Sequence, residues 1–274
     1  MSGAVEGVAD VRGVGLAWER RGSGRTVVWG HGLTSSRAAE DQWNVVDHDR
    51  LAGSFDLVRY DARGHGVSGL ADDLSTYDWP EMGRDQLALA SALGVDRYVA
   101  AGASLGTATA LCAALAEPER AEALVLVIPP TCWATRAEQA GRYGLMADIV
   151  DARGPAALIA GLDAAPVPDP LIDDQGRRAR SEAGLRAADG TRLATIFRGA
   201  AGADLPPAEQ ISTIAVPTLI LAWSGDAGHP VSSAEQLHDL IGGSELHVAS
   251  TADEFATWTD CIITFVDGLP AAST

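Results

Sequence analysis

Short apolar runs alternate along the chain with longer stretches in which apolar positions recur every three or four residues. Residues 14–18, 26–29, 55–60 (FDLVRY), 97–101, 123–128 and 216–223 are runs of four to eight residues with the signature of buried strands. Between them, residues 79–93, 105–116 and 232–241 carry the three-to-four spacing of helices with one buried face. A last strand is predicted at 245–249 and a closing helix at 255–266. Strands that alternate with helices in this way form a mostly parallel sheet covered on both faces, an α/β fold.

Residues 129–209 break the alternation. The stretch turns rich in Ala, Gly and Arg, with helical spacing at 136–150, 154–162 and 182–199, and with Pro166, Pro168 and Pro170 in a connecting segment. No strand pattern appears in it. It predicts a helical lid inserted after the sixth strand, leaving 1–128 and 210–274 as the core.

Composition narrows the function classes. Of 274 residues, 47% are hydrophobic and 21% charged, enough apolar material for a large core. The formal charge is −17 and all 20 basic residues are Arg. Such a surface repels phosphate backbones and anionic bilayers, so nucleic acid and membrane are not expected partners. No apolar run approaches the ~20 residues of a membrane span. Residues 1–24 lack a basic segment followed by an apolar stretch, which predicts no signal peptide. Three cysteines, Cys112, Cys132 and Cys261, are an odd number without metal-ligand spacing, and suit reduced thiols and a cytoplasmic setting. Oligomeric state is left open.

Three short segments carry chemistry. Gly102-Ala103-Ser104-Leu105-Gly106 follows a predicted strand and opens a predicted helix, the setting of a nucleophile elbow. Ser104 there sits at a helix N-terminus, where free N–H groups favour a developing negative charge. Serine in that place also serves simply as a helix cap. Trp29-Gly30-His31-Gly32-Leu33-Thr34 and Tyr60-Asp61-Ala62-Arg63-Gly64-His65-Gly66-Val67-Ser68 each follow an earlier strand.

In this order, an HG turn, a DxRGHGxS loop and a GxSxG elbow, the chain resembles the α/β-hydrolase superfamily over roughly residues 14–266, the lid excepted. The resemblance implies a nucleophile at Ser104 and an oxyanion hole made by the backbone N–H groups of Leu33 and Leu105. It implies bracing roles for His31 and His65 in the oxyanion loop, with His31 near enough to count among the substrate contacts. Cys132, just after the sixth strand, is placed at the pocket mouth or in the core as a small apolar residue. After the strand TLILAW, Ser224-Gly225-Asp226-Ala227-Gly228-His229-Pro230 offers Asp226 as the triad acid. Lid residues Trp133, Tyr143, Leu145 and Met146 are the candidates for setting substrate choice.

The family's base belongs in the loop between the last strand and the last helix. Here that stretch reads Glu245-Leu246-His247-Val248-Ala249-Ser250-Thr251-Ala252-Asp253-Glu254-Phe255, with no histidine after Ala249. Three arrangements remain. His247 lies inside the strand, and with the family's strand order is three places, about 14 Å, from the Ser104 strand. His229 follows Asp226 by three residues on a strand two places away, roughly 10 Å, and Pro230 favours an extended backbone there. In the third arrangement no base exists and the fold serves a non-hydrolytic cyclase, isomerase or binding role. The leading expectation is a cofactor-free serine hydrolase acting on a small apolar ester, thioester or lactone through Ser104, His229 and Asp226. No metal is expected, because no His, Cys or Asp cluster has ligand spacing.

Overall fold

The computed structural model describes residues 4–162, 164 and 166–270. An antiparallel pair opens the chain: β1 (Val5–Val11) and β2 (Val14–Arg21) turn through Arg12 and Gly13, both with positive φ. Next come β3 (Thr26–Gly30), α1 (Arg37–Trp43), α2 (His48–Ser54), β4 (Asp56–Tyr60), α3 (Trp79–Ala92), β5 (Tyr98–Ala103), α4 (Leu105–Ala116) and β6 (Ala121–Val127). After a helical excursion through α5 (Arg136–Arg153), α6 (Arg177–Ala187), α7 (Gly190–Gly202) and α8 (Ala208–Ile211), the chain returns to the sheet. It ends with β7 (Thr218–Trp223), α9 (Val231–Leu240), β8 (Glu245–Ala249), α10 (Ala252–Ala256) and α11 (Trp258–Asp267).

The eight strands form one sheet in the order β1-β2-β4-β3-β5-β6-β7-β8, parallel from β4 through β8. Strands β4, β5 and β7 are buried at every position, which explains their unbroken apolar runs. Leu111 of α4, Leu89 of α3 and Leu237 of α9 pack on one face, and Leu51 of α2 with Trp258 and Ile262 of α11 on the other. This is the doubly wound arrangement that the alternation predicts.

Differences from the sequence reading have local causes. Strand β1 escaped notice because it lies at the sheet edge, with Val5 and Val8 exposed and a glycine between them. The piece expected at 182–199 is two helices, α6 and α7. Asp189 ends the first run and caps the second, its side chain accepting the N–H of Arg192. The stretch 154–162 is a short tight turn of helix at Pro155–Gly161. Among the described residues, everything between β6 and β7 that is regular is helical. A third apolar cluster sits there, joining Ala147 and Val150 of α5 to Leu193, Ile196 and Phe197 of α7, with Tyr77 reaching up from the core.

Candidate active site

Ser104 is the single residue between β5 and α4, at φ 53° and ψ −108°. An L-residue takes that backbone only where the surroundings enforce it. Two features enforce it here. Ser104 N–H is held by Val127 O of β6 at 2.9 Å, and Ala108 N–H bonds back to Ser104 O at 3.2 Å. The glycines on either side let α4 lie directly against β3: a Cβ on Gly102 or on Gly106 would run into the Gly30 carbonyl oxygen. Gly106→Ala is therefore expected to lower stability by about 3 kcal/mol, the upper range for overpacking a tight contact, as read from urea unfolding. The Ser104 side chain makes no capping bond to α4, so its hydroxyl is free for another partner.

That partner is His229. Its Nε2 lies 2.8 Å from Ser104 Oγ, and its Nδ1 lies 2.8 Å from Asp226 Oδ2. The network assigns the tautomer: Nδ1–H donates to the carboxylate and Nε2 accepts from the serine hydroxyl. Both residues stand on the loop after β7, two strands from β5, so the turn from Gly225 (φ 80°) to Pro230 carries the imidazole across the intervening strand. Asp226 is fixed from three sides. Oδ2 also accepts Trp223 Nε1–H at 2.9 Å, and Oδ1 accepts Gly228 N–H at 2.8 Å.

Burial by itself would raise the Asp226 carboxyl. The hydrogen bonds and charge of His229, with the Gly228 and Trp223 N–H groups, outweigh it and bring the carboxyl down to about 2. Its folded value lies below its ordinary one, so the stabilisation is complete above about pH 4 and lost as pH falls towards 2. Asp226→Asn is expected to cost up to about 2 kcal/mol at pH 7, a penalty that shrinks towards zero near pH 2 in paired urea titrations.

The loop after β8 supplies no base. Its residues are tied into a capping box in which Glu254 accepts the N–H groups of Ser250 and Thr251. His247 is half exposed on the edge strand, nearest to Glu245.

His31 and His65 lock the first motif to the second. His31 Nε2 accepts Ala62 N–H at 3.0 Å while Nδ1 sits 2.8 Å from Gly32 O; burial holds its pKa down to about 3, so the ring is neutral. His65 lies between two carbonyls, with Nε2 2.7 Å from Leu33 O and Nδ1 2.8 Å from Arg63 O. The result fixes the peptide of Leu33 beside the elbow. As the first residue of α4, Leu105 presents an N–H with no partner one helical turn earlier.

Two adjoining, nearly filled pockets lie over this site and share Leu33, Trp79, Leu105 and Ala200 as walls. Ser104, Pro130 and Tyr143 complete the one at the elbow; His65, Tyr77, Met82 and Ile196 complete the other. Several sequence expectations need correction here. His31 lines neither pocket: it is sealed under the loop with both ring nitrogens engaged. Trp133 turns away, its indole N–H donating to Pro206 O and its backbone N–H to Asp204. Met146 packs into the α5–α7 cluster and Leu145 is exposed, so of the four lid candidates Tyr143 lines the space. Trp79, Tyr77 and Met82 were not among the sequence candidates. Trp79 and Met82 belong to the apolar face of α3, but a face does not state what it faces, and Tyr77 lies in the short turn before it.

Cys132 is buried with Sγ 3.6 Å from Ser233 Oγ and away from the cavity walls. Burial pushes its thiol up to about 11, and pushes Cys112 up as well. Cys261 is the partly exposed one. A thiol reagent is expected to titrate one group quickly in the folded protein and the other two only after denaturation.

Residues 25–260 match the family described as alpha/beta hydrolase fold. The chain belongs to that family. Among curated α/β-hydrolase relatives, N-formylmaleamate deformylase of Pseudomonas putida is 36% identical over 109 residues, 40% of this chain and 39% of its own length. The chain thus spans about two fifths of that relative. 3-Oxoadipate enol-lactonase 1 of Acinetobacter baylyi is 24% identical over 199 residues, 72% of this chain and 71% of its own. A solved hydrolase from Pseudomonas aeruginosa superposes with a TM-score of 0.80 at 25% identity, covering 95% of this chain and 98% of its own. Among the described residues no helix is long and apolar enough to cross a membrane.

Proposed function

We propose that this α/β-hydrolase is a serine hydrolase that opens a small ester, thioester or lactone. The observation that carries the reading is the unbroken Ser104–His229–Asp226 chain, with both links at 2.8 Å. Ser104 Oγ attacks the acyl carbon while its proton passes to His229 Nε2. Asp226 holds Nδ1–H and stabilises the imidazolium. The Leu33 and Leu105 N–H groups take the negative charge on the carbonyl oxygen. On collapse the leaving oxygen or sulfur receives the proton from His229, and a water deprotonated by the same ring then releases the acid. In this reading the base has moved from the loop after β8 to the loop that already carries the acid.

Two further points support it. The relatives include proteins named as a lactonase and a deformylase. The space beside Ser104 is small and its walls are mostly apolar. Residues 129–209 are read as a lid, since α5 and α7 roof the cavities through Tyr143, Ile196 and Ala200. The pockets are nearly filled by their own walls, so entry of a ligand requires these helices to shift. The proposed chemistry needs no metal or organic cofactor, and the substrate is the one partner it requires. The test is hydrolysis of a panel of short-chain 4-nitrophenyl esters, thioesters and five-membered lactones. Turnover of at least one class, lost in Ser104→Ala, supports the reading. Absence of turnover across the panel together with an unreactive Ser104 would favour a non-hydrolytic use of the fold.

A further inference from the structure

Arg136, at the start of α5, is buried to 4% exposure, and among the described residues it makes no ion pair. Its Nε donates to Ala203 O at 2.6 Å, one terminal nitrogen to Ala200 O, and the other to Thr131 Oγ1 at 3.3 Å. All three acceptors are neutral. The carboxylate that acts on it most is Asp204, which is already committed to the N–H groups of Trp133 and Leu205. Buried guanidinium groups are normally matched by a carboxylate, because an uncompensated charge in the interior is costly.

The charge also lies against the site. The guanidinium stands 4.3 Å over the Trp79 ring and 5.5 Å from the Tyr143 ring, two walls of the cavity that holds Ser104. Trp79 carries a second irregularity. Its indole N–H is buried and has no acceptor, the one such side-chain atom in the cavity lining among the described residues. Tyr77 OH is paired with Ala71, and His65 donates its one ring N–H to Leu33 O or Arg63 O. One donor without an acceptor and one buried cation with no carboxylate bonded to it therefore meet at the same wall.

We propose that this wall is a subsite for an anionic oxygen of the substrate, so that the preferred substrate is a small ester or lactone bearing a carboxylate. The indole N–H of Trp79 donates to that carboxylate, and Arg136 behind the ring supplies the compensating charge. A guanidinium over the ring also strengthens the indole as a donor, since it draws density from the π-system. The carbonyls of Ala200 and Ala203, at the C-terminal end of α7, hold Arg136 in place in the free protein, and the partial negative charge there offsets only part of the guanidinium's charge.

The proposal rests on the serine-hydrolase reading, and a matched substrate pair separates the two. 4-Nitrophenyl hemiglutarate and 4-nitrophenyl pentanoate differ only in a terminal carboxylate against a methyl end. Wild type is expected to favour the hemiglutarate in kcat/KM by about 10- to 100-fold, the range of a charge-assisted hydrogen bond. Trp79→Phe and Arg136→Gln should each bring the ratio of kcat/KM for hemiglutarate over pentanoate to within about threefold of unity, mainly through a raised KM for the hemiglutarate, whatever their effect on the pentanoate rate itself. Arg136→Lys should restore part of it. Should Arg136→Gln not fold, glutarate as a competitive inhibitor of pentanoate hydrolysis by the wild type still decides: it should inhibit, and its neutral dimethyl ester should not. A wild type that favours pentanoate, or variants that lose both substrates equally, would overturn the subsite while leaving Ser104 chemistry intact. No hydrolysis of either ester would instead remove the reading on which it rests.

Discussion

Replacing Ser104 by Ala is expected to lower kcat/KM for any substrate of this protein by about 10⁴- to 10⁶-fold, with no loss of stability. The size follows from the position. Ser104 Oγ lies 2.8 Å from His229 Nε2 on the residue that opens α4, next to the N–H groups proposed as the oxyanion hole. Without it, the oxyanion hole and the bound geometry still act on water, and a residual acceleration remains. The stability half of the prediction comes from the elbow. The side chain caps nothing in α4, and Ala keeps the Cβ that the backbone already accommodates at φ 53°. Urea midpoints should therefore coincide while rates diverge. A Ser104→Ala enzyme within tenfold of wild type would mean that another group is attacking.

His229→Ala is the second large effect, about 10²- to 10⁴-fold in kcat/KM, the usual contribution of general base catalysis. It has two controls built into the fold. His247→Ala should leave rates unchanged, because that ring lies half exposed on the edge strand three places from β5. The double variant Ser104→Ala/His229→Ala should be no slower than Ser104→Ala alone, since groups that act as one unit do not contribute additively. Additive losses in the double variant would show that His229 acts somewhere other than on Ser104.

Much of the scaffold was legible because apolar runs and glycines speak directly. The strand 245–249 and the helix 105–116 have the bounds expected from their patterns, and Ser104 falls on the strand-to-helix turn that its glycines require. The dyad of Asp226 and His229 was readable in principle from a three-residue spacing and a proline that follows. It competed with His247 because distance across a sheet depends on strand order, which a single sequence shows only by likeness. Trp133 and Met146 were placed at the site because they are large and lie in the lid segment. Their actual directions are set by Asp204 and by the packing of α5 on α7, long-range contacts with no local signature. Arg136 and Trp79 went unremarked for the same reason. Each looks ordinary in sequence, and only the packing shows that one is a buried cation bonded to neutral oxygens and the other a buried N–H without an acceptor.

The rate at which a small activated phosphonate ester labels Ser104 tests the central claim most directly, because it reads the attack step without needing the natural substrate. The Ser104–His229–Asp226 account predicts rapid stoichiometric labelling of the wild type and of His247→Ala, slowed by about 10²- to 10⁴-fold in His229→Ala and also slowed in Asp226→Asn. Labelling that is equally slow in all four proteins, or that survives His229→Ala and fails in His247→Ala, would contradict it.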